Sequence, residues 1–223
     1  MAPPFVVIEY EDLISDKDLS EMIINAYGVN SVGALAIRGI PNWLDMCHKT
    51  LPLAHSLAGL PKEKLDLLED ESSMYNAGWS LGKEKMGDTP DFAKASYYYN
   101  PLVDDPSPEL REEFPWALPA NKWPVEEDIP HFKEHCKELG TVMKEVAVHL
   151  ARHIDKLLVA QVPGYQAGLF HEAMDASIKA KSRLLYYFPI QPDATPDASV
   201  DATQAAPKTK TDNWIAWHND SGF

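Results

Sequence analysis

An α+β fold is predicted by three features of the sequence. Short β-branched and aromatic runs recur at Phe5–Tyr10, Ala34–Ile37, Ser96–Asn100 and Arg183–Phe188. After Pro130 the apolar residues step by three and four, the period of a helix with one buried face. Between the early elements and that helix lies Met74–Pro130, rich in Gly, Pro, Trp and Tyr, with room for only short structured pieces.

Taken in order, Phe5–Tyr10 reads as a first strand. Ser15 or Asp16 can cap the helix that follows, whose apolar face is Leu19, Met22, Ile23 and Ala26 and whose end is Gly28. Ala34–Ile37 is a short buried strand closed by Gly39. Pro41 opens a helix through Leu44, Cys47, Leu51 and Leu57, and Pro61 a shorter one through Leu65 and Leu68. In the middle stretch Ser96–Asn100 is a strand. Phe114-Pro115-Trp116 and Lys122-Trp123-Pro124 are loops ordered by aromatic packing. The long helix carries Phe132, Cys136, Leu139, Met143, Val146, Leu150, Ile154 and Leu157 on one face, and a second helix runs from Gln166 to Lys181. Arg183–Phe188 is a strand stopped by Pro189. Gln191–Asp212 has almost nothing to bury and reads as a surface loop inserted between two strands of one sheet. The chain thus divides into an N-terminal α/β region with aromatic loops, 1–130, and a second region, 131–223, with its low-complexity loop at 190–212.

Composition bounds the partners. The 223 residues are 45% hydrophobic and 24% charged, the balance of a soluble globular protein. A net charge of −14 argues against nucleic acid or an anionic membrane, which need a basic footprint. An anionic small molecule would need a local arginine or lysine. No apolar run approaches the ~20 residues of a spanning helix, and Met1–Glu11 lacks the basic and apolar regions of a signal peptide. Cys47 and Cys136 lie far apart with no C-x-x-C spacing, as expected of reduced thiols in a cytoplasmic protein.

Two H-x-D triplets invite a metal. His153-Ile154-Asp155 lies inside the long helix, where residues two apart diverge, so the pair is expected to be a solvated helix flank. His218-Asn219-Asp220 follows an alternating run, Trp214–Trp217. In a strand, residues two apart share a face, so His218 and Asp220 can chelate one ion. They make up two-thirds of a 2-His-1-carboxylate facial triad, the non-haem Fe(II) arrangement. The spacing alone is equally met by an edge-strand His and Asp in solvent.

Several segments in sequence resemble the 2-oxoglutarate/Fe(II)-dependent dioxygenases, in the isopenicillin N synthase-like branch. Gly33-Ala-Leu-Ala-Ile-Arg-Gly-Ile40 looks like that family's entry segment. Gly78–Lys85 and Ser96–Leu102 look like the loop and strand that precede its long helix. Arg183–Pro189 is similar to its R-x-N-Y-Y-P strand, and Trp217–Gly222 to its H-x-D-x-G metal strand. The resemblance implies a helix-flanked double-stranded β-helix, or jelly roll. It implies oxidation of a small-molecule substrate with O2, while 2-oxoglutarate is decarboxylated to succinate. It makes His218 and Asp220 iron ligands. In the R-x-N-Y-Y-P strand the tyrosine before proline contacts the co-substrate. Phe188 stands there and Tyr186 takes the asparagine position, leaving Tyr187 as the co-substrate contact or as an ordinary core-facing tyrosine. The family's second histidine and its R-x-S arginine follow the H-x-D strand by tens of residues, whereas this sequence reads to Phe223. The expectation is therefore a C-terminally truncated jelly roll, missing most barrel strands, that holds Fe(II) weakly and does not turn over. The alternatives are a non-catalytic remnant that binds a partner as a scaffold, and a metal-dependent hydrolase for which no third ligand is evident.

Overall fold

The computed structural model describes residues 5–86 and 89–189. In chain order the elements are β1 (Val6–Glu9), α1 (Tyr10–Leu13), α2 (Ser20–Tyr27), β2 (Leu35–Arg38), α3 (Trp43–Thr50), α4 (Leu53–Ala58) and α5 (Lys62–Leu67). A single 3-10 turn, Glu71–Ser73, follows. Then come β3 (Gly78–Leu81), β4 (Lys85–Met86), β5 (Thr89–Pro90), β6 (Lys94–Tyr99), α6 (Pro108–Glu113), α7 (Phe132–Gln161), α8 (Leu169–Ala176) and β7 (Ser182–Tyr187). The class is α+β with small open sheets, and no closed barrel forms among the described residues.

The elements gather into two compact units, each discontinuous in sequence. The first holds the described residues up to Leu51, Asn100–Asp104 and His131–Ala180. Here β1 and β2 pair in parallel, Val6 opposite Leu35 and Glu9 opposite Arg38. Ile8, Leu13, Leu19, Ile23 and Ala26 form a buried cluster with Leu157 of α7, flanked by Val146, Leu150 and Ile154. Each fully buried Leu or Ile contributes roughly 1.5–3 kcal/mol, enough to fix α7 on this core.

Polar ties set the register of α7. Thr50 donates to the His135 carbonyl at 3.1 Å, and Arg152 donates to the carbonyls of Ile14 and Ser15 at 3.3 and 3.1 Å. His153 and Asp155 are not a solvated flank: they are 2% and 5% exposed. They do diverge as the helical spacing requires. His153 Nε2 donates to the Leu13 carbonyl at 2.8 Å. Asp155 accepts from the Tyr165 hydroxyl and, at 2.6 Å, from the His171 N–H. The Tyr165 oxygen itself accepts from the Phe170 N–H at 3.0 Å. Two orphan donors in the first turn of α8 are thereby satisfied by side chains from outside the helix. Gly168, with φ +85°, precedes that turn, and the helix covers only Leu169–Ala176, shorter than the expected span.

The second unit holds Pro52–Tyr99, Asp105–Pro130 and the described residues from Lys181 onward. Its centre is a three-stranded antiparallel sheet in the order β3-β6-β7. Tyr97 lies opposite Trp79 on one side and Leu184 on the other, and Tyr98 opposite Gly78 and Arg183. Alternation therefore gives the sheet two unlike faces. Trp79, Ala95, Tyr97, Tyr99 and Leu184 are buried on one of them. There Trp123 packs on Tyr97 and Tyr99, and the Tyr97 hydroxyl donates to the Lys122 carbonyl at 2.7 Å. Gly78 begins β3 at φ +70°, and an added Cβ would lie 1.9 Å from the Leu68 carbonyl oxygen. Only glycine allows that approach, which the Trp79 N–H completes by donating to the same oxygen at 2.9 Å.

Other differences from expectation have local causes. The helix opened by Pro41 is two helices, because Pro52 has no N–H to continue the first. The carboxylate near the start of α2 that accepts a backbone N–H is Asp18, from Ser20 at 2.9 Å, rather than Ser15 or Asp16. The segment Gly78–Lys85, read as a loop, contains β3. The middle stretch also contains α6, whose Ser107 accepts from the Leu110 N–H. Cys47 and Cys136 are free thiols. Among the described residues no helix is long and apolar enough to cross a membrane. The low-complexity loop at 190–212 lies outside the described residues.

Candidate functional site

The second face of the β3-β6-β7 sheet is polar. Ser80 on β3 is opposite Ser96 on β6. Lys94, Ser96 and Tyr98 lie opposite Tyr187, Leu185 and Arg183 of β7. Glu84, just past β3, ties the group together. Its Oε1 accepts from the Tyr98 hydroxyl at 2.8 Å and from Arg183 Nη2 at 2.5 Å, and its Oε2 lies 3.1 Å from Lys94. The Arg183 guanidinium also donates through Nε and Nη2 to Ser96 Oγ, at 3.1 and 2.7 Å. Arg183 and Lys181 both stand over the Tyr98 ring, 5.1 and 4.3 Å from its centre, and Lys181 donates to Asn76.

The charges respond to this packing. Burial, and then the hydrogen bond it gives to Glu84, push the Tyr98 phenol up to about 12. Burial would raise the Glu84 carboxyl, but hydrogen bonds from Tyr98 and Lys94 and the charge of Arg183 outweigh it and hold it below the usual range. Burial first, and then the charge of Arg183, lower the Lys181 ammonium. Three cations thus gather around the multiply engaged Glu84, with Asp91 a further 3.9 Å from Lys94, and hydroxyls lie between them. That donor set suits an anion.

Of the residues singled out from sequence, Tyr187 sits on this polar face at the Pro189 end of β7, half-buried and opposite Lys94. His218 and Asp220 lie outside the described residues. Phe188 and Tyr186 meet edge to face, and Tyr186 meets His55 in the same way, so neither belongs to the polar network. His131 is exposed; His135, His149 and His171 are partly buried, and His153 is buried. Among the described residues no three His, Cys, Asp or Glu side chains converge as metal ligands. The sequence places Arg183 at the start of a strand and gives no separate sign of Glu84, Ser96 or Tyr98 as site residues. The available signal was a basic residue at or just before the start of two apparent strands, Arg183 and Lys94.

No protein-family model matches the sequence, and no curated protein does. Solved structures do share its fold. A full-length Neurospora crassa protein, solved in complex with alpha-KG, gives a TM-score of 0.60 at 22% identity, over 82% of this chain and 54% of that one. The C-terminally truncated apo form of the same protein gives 0.58 at 20% identity, over 84% of this chain and 64% of that one. A protein from Caulobacter crescentus named for the 2OG-Fe(II) oxygenase family gives 0.62 at 16% identity, over 87% and 59%. The chain thus shares its fold with these proteins and spans 54–64% of their length.

Proposed function

We propose that these residues belong to a 2-oxoglutarate/Fe(II)-dependent dioxygenase of the isopenicillin N synthase-like branch. It is a cytoplasmic enzyme that oxidises a small-molecule substrate, and its sheets are part of a jelly roll. The observation that carries the reading is the fold likeness over more than four-fifths of the chain to proteins one of which was solved with alpha-KG. In this reading His218 and Asp220 hold the iron. Tyr187 offers its hydroxyl to the co-substrate on the polar face. Arg183, Lys181 and Lys94 keep that face electropositive toward a dicarboxylate. Bound iron and 2-oxoglutarate supply O2-dependent oxidation that side chains alone do not perform.

Metal binding and turnover are tested separately. Anaerobic titration of the 223-residue chain with Fe(II) is expected to show one site, weakened about tenfold or more by His218→Ala or Asp220→Ala. His149→Ala, a partly buried histidine of α7, leaves it unchanged. Equal Fe(II) binding by wild type and His218→Ala removes the metal assignment. With iron loaded, Tyr187→Phe weakens 2-oxoglutarate severalfold; an unchanged affinity removes Tyr187. Succinate formation requiring both Fe(II) and 2-oxoglutarate, measured on any longer in-frame product, decides the activity.

A further inference from the structure

The second unit contains a cavity of about 580 Å³. It lies where α5 and the end of α4 meet the end of β3, on the apolar side of the sheet that carries Trp79. Three aromatic side chains, Trp79, Phe92 and Phe188, and three leucines, Leu60, Leu65 and Leu81, form its apolar wall. The volume is in the range of small-molecule sites, which run from about 300 to 1,000 Å³ and combine apolar walls with a few polar groups.

The polar groups are arranged unusually. The charged residues lining the cavity are Lys62, Asp66, Glu69 and Lys83. They are already matched in pairs, Lys62 with Asp66 at 2.7 Å and Lys83 with Glu69 at 2.9 Å. Lys83 also stands 4.3 Å over the Tyr75 ring. The rim is therefore neutral in sum. Lys62 and Asp66 are more than half exposed and oppose a charged ligand little, but one would have to compete with the Lys83–Glu69 pair, which is largely covered beside the apolar wall, where separating charges is costly. A neutral ring gains the wall without that cost, and edge-to-face or stacked contact with the three aromatic side chains adds to it.

We propose that this cavity binds a small neutral aromatic molecule, held between Trp79, Phe92 and Phe188. The site is distinct from the polar face, and the proposal does not depend on the iron assignment. Saturation-transfer NMR on the 223-residue protein tests it with three probes of similar size: indole, benzoate and benzylamine. Indole binds, and benzoate and benzylamine bind about tenfold more weakly or not at all. Leu65→Trp fills the cavity and abolishes indole transfer while thermal unfolding stays cooperative; Ala58→Phe serves if that variant does not fold. Glu69→Gln leaves Lys83 without its carboxylate, so benzoate gains on indole, a change that a merely structural role for Glu69 does not produce. No transfer to indole in the folded wild type overturns the proposal. So does indole binding that survives both filling substitutions, or benzoate binding more tightly than indole to the wild type.

Discussion

Replacing Gly78 by alanine tests whether the second unit is assembled as described. The added methyl faces two separate costs. The backbone is left-handed, φ +70°, which costs a residue with a Cβ about 1–2 kcal/mol. The Cβ would also stand 1.9 Å from the Leu68 carbonyl oxygen. Both atoms are fixed to backbone, so no rotamer change relieves the overlap. The start of β3 must move away, breaking the 2.9 Å bond from the Trp79 N–H to Leu68 and the bridge between Glu69 and Gly78. Leaving a buried N–H unpaired costs about 1–3 kcal/mol. Together these come to roughly 2–5 kcal/mol, a large share of the ~5–15 kcal/mol that holds a typical domain together. Gly33 is the control. It has nearly the same backbone, φ +73°, but nothing lies within 4 Å of an added Cβ. Gly33→Ala therefore carries only the conformational part, about 1–2 kcal/mol. Urea denaturation followed by far-UV circular dichroism and tryptophan fluorescence measures both. A Gly78→Ala cost no larger than that of Gly33→Ala would refute the close approach, and with it the docking of β3 against residues 68 and 69.

Two pH effects follow from buried groups. Burial lowers the His153 pKa below 6.5, against the hydrogen bond to the Leu13 carbonyl, so its neutral form is the folded one. That contribution is present above pH about 6.5 and is lost as pH falls through the lowered value, because the unfolded chain takes up the proton first. His153→Gln, which can still donate to Leu13, should flatten the acid side of the stability profile; an unchanged slope assigns that limb to other groups. Tyr98 works in the opposite direction. Its phenol is raised from 10.0 to about 12, so its contribution is present below pH about 10 and is lost between there and 12. The phenolate absorbance difference between wild type and Tyr98→Phe should titrate near 12, and a midpoint near 10 contradicts the bond to Glu84.

Legibility in the sequence followed how local each cause was. The long helix was readable because its apolar face is written into a single run, Phe132 to Leu157, and needs no partner to be recognised. β6 and β7 were readable from their aromatic content. β3 was not, because four residues carry only two side chains on the apolar face, and its position is set by the approach of Gly78 to Leu68. The case of His153 and Asp155 divides cleanly. Helical spacing predicts that the side chains diverge, which is a local fact. Their burial depends on the Leu13 carbonyl and on residues 165–171, which are brought to them by the fold. The polar face shows the same limit. Arg183 meets Ser96 and Glu84, 87 and 99 residues earlier in the chain, so nothing near Arg183 announces its role.

The same distinction resolves an apparent conflict between charge and function. A chain of net charge −14 is a poor long-range attractor for a dicarboxylate. At physiological ionic strength, however, charges more than about 8 Å away are largely screened, and a bound anion responds mainly to its immediate neighbours. On the β3-β6-β7 sheet those neighbours are Lys94, Lys181 and Arg183, with Glu84 already bonded to Tyr98 and Arg183. Composition argues against extended anionic partners such as nucleic acid, whose binding needs a continuous basic surface. It leaves open a small anion. The register places Tyr187 beside Lys94 on that face, where the proposed co-substrate role would put it.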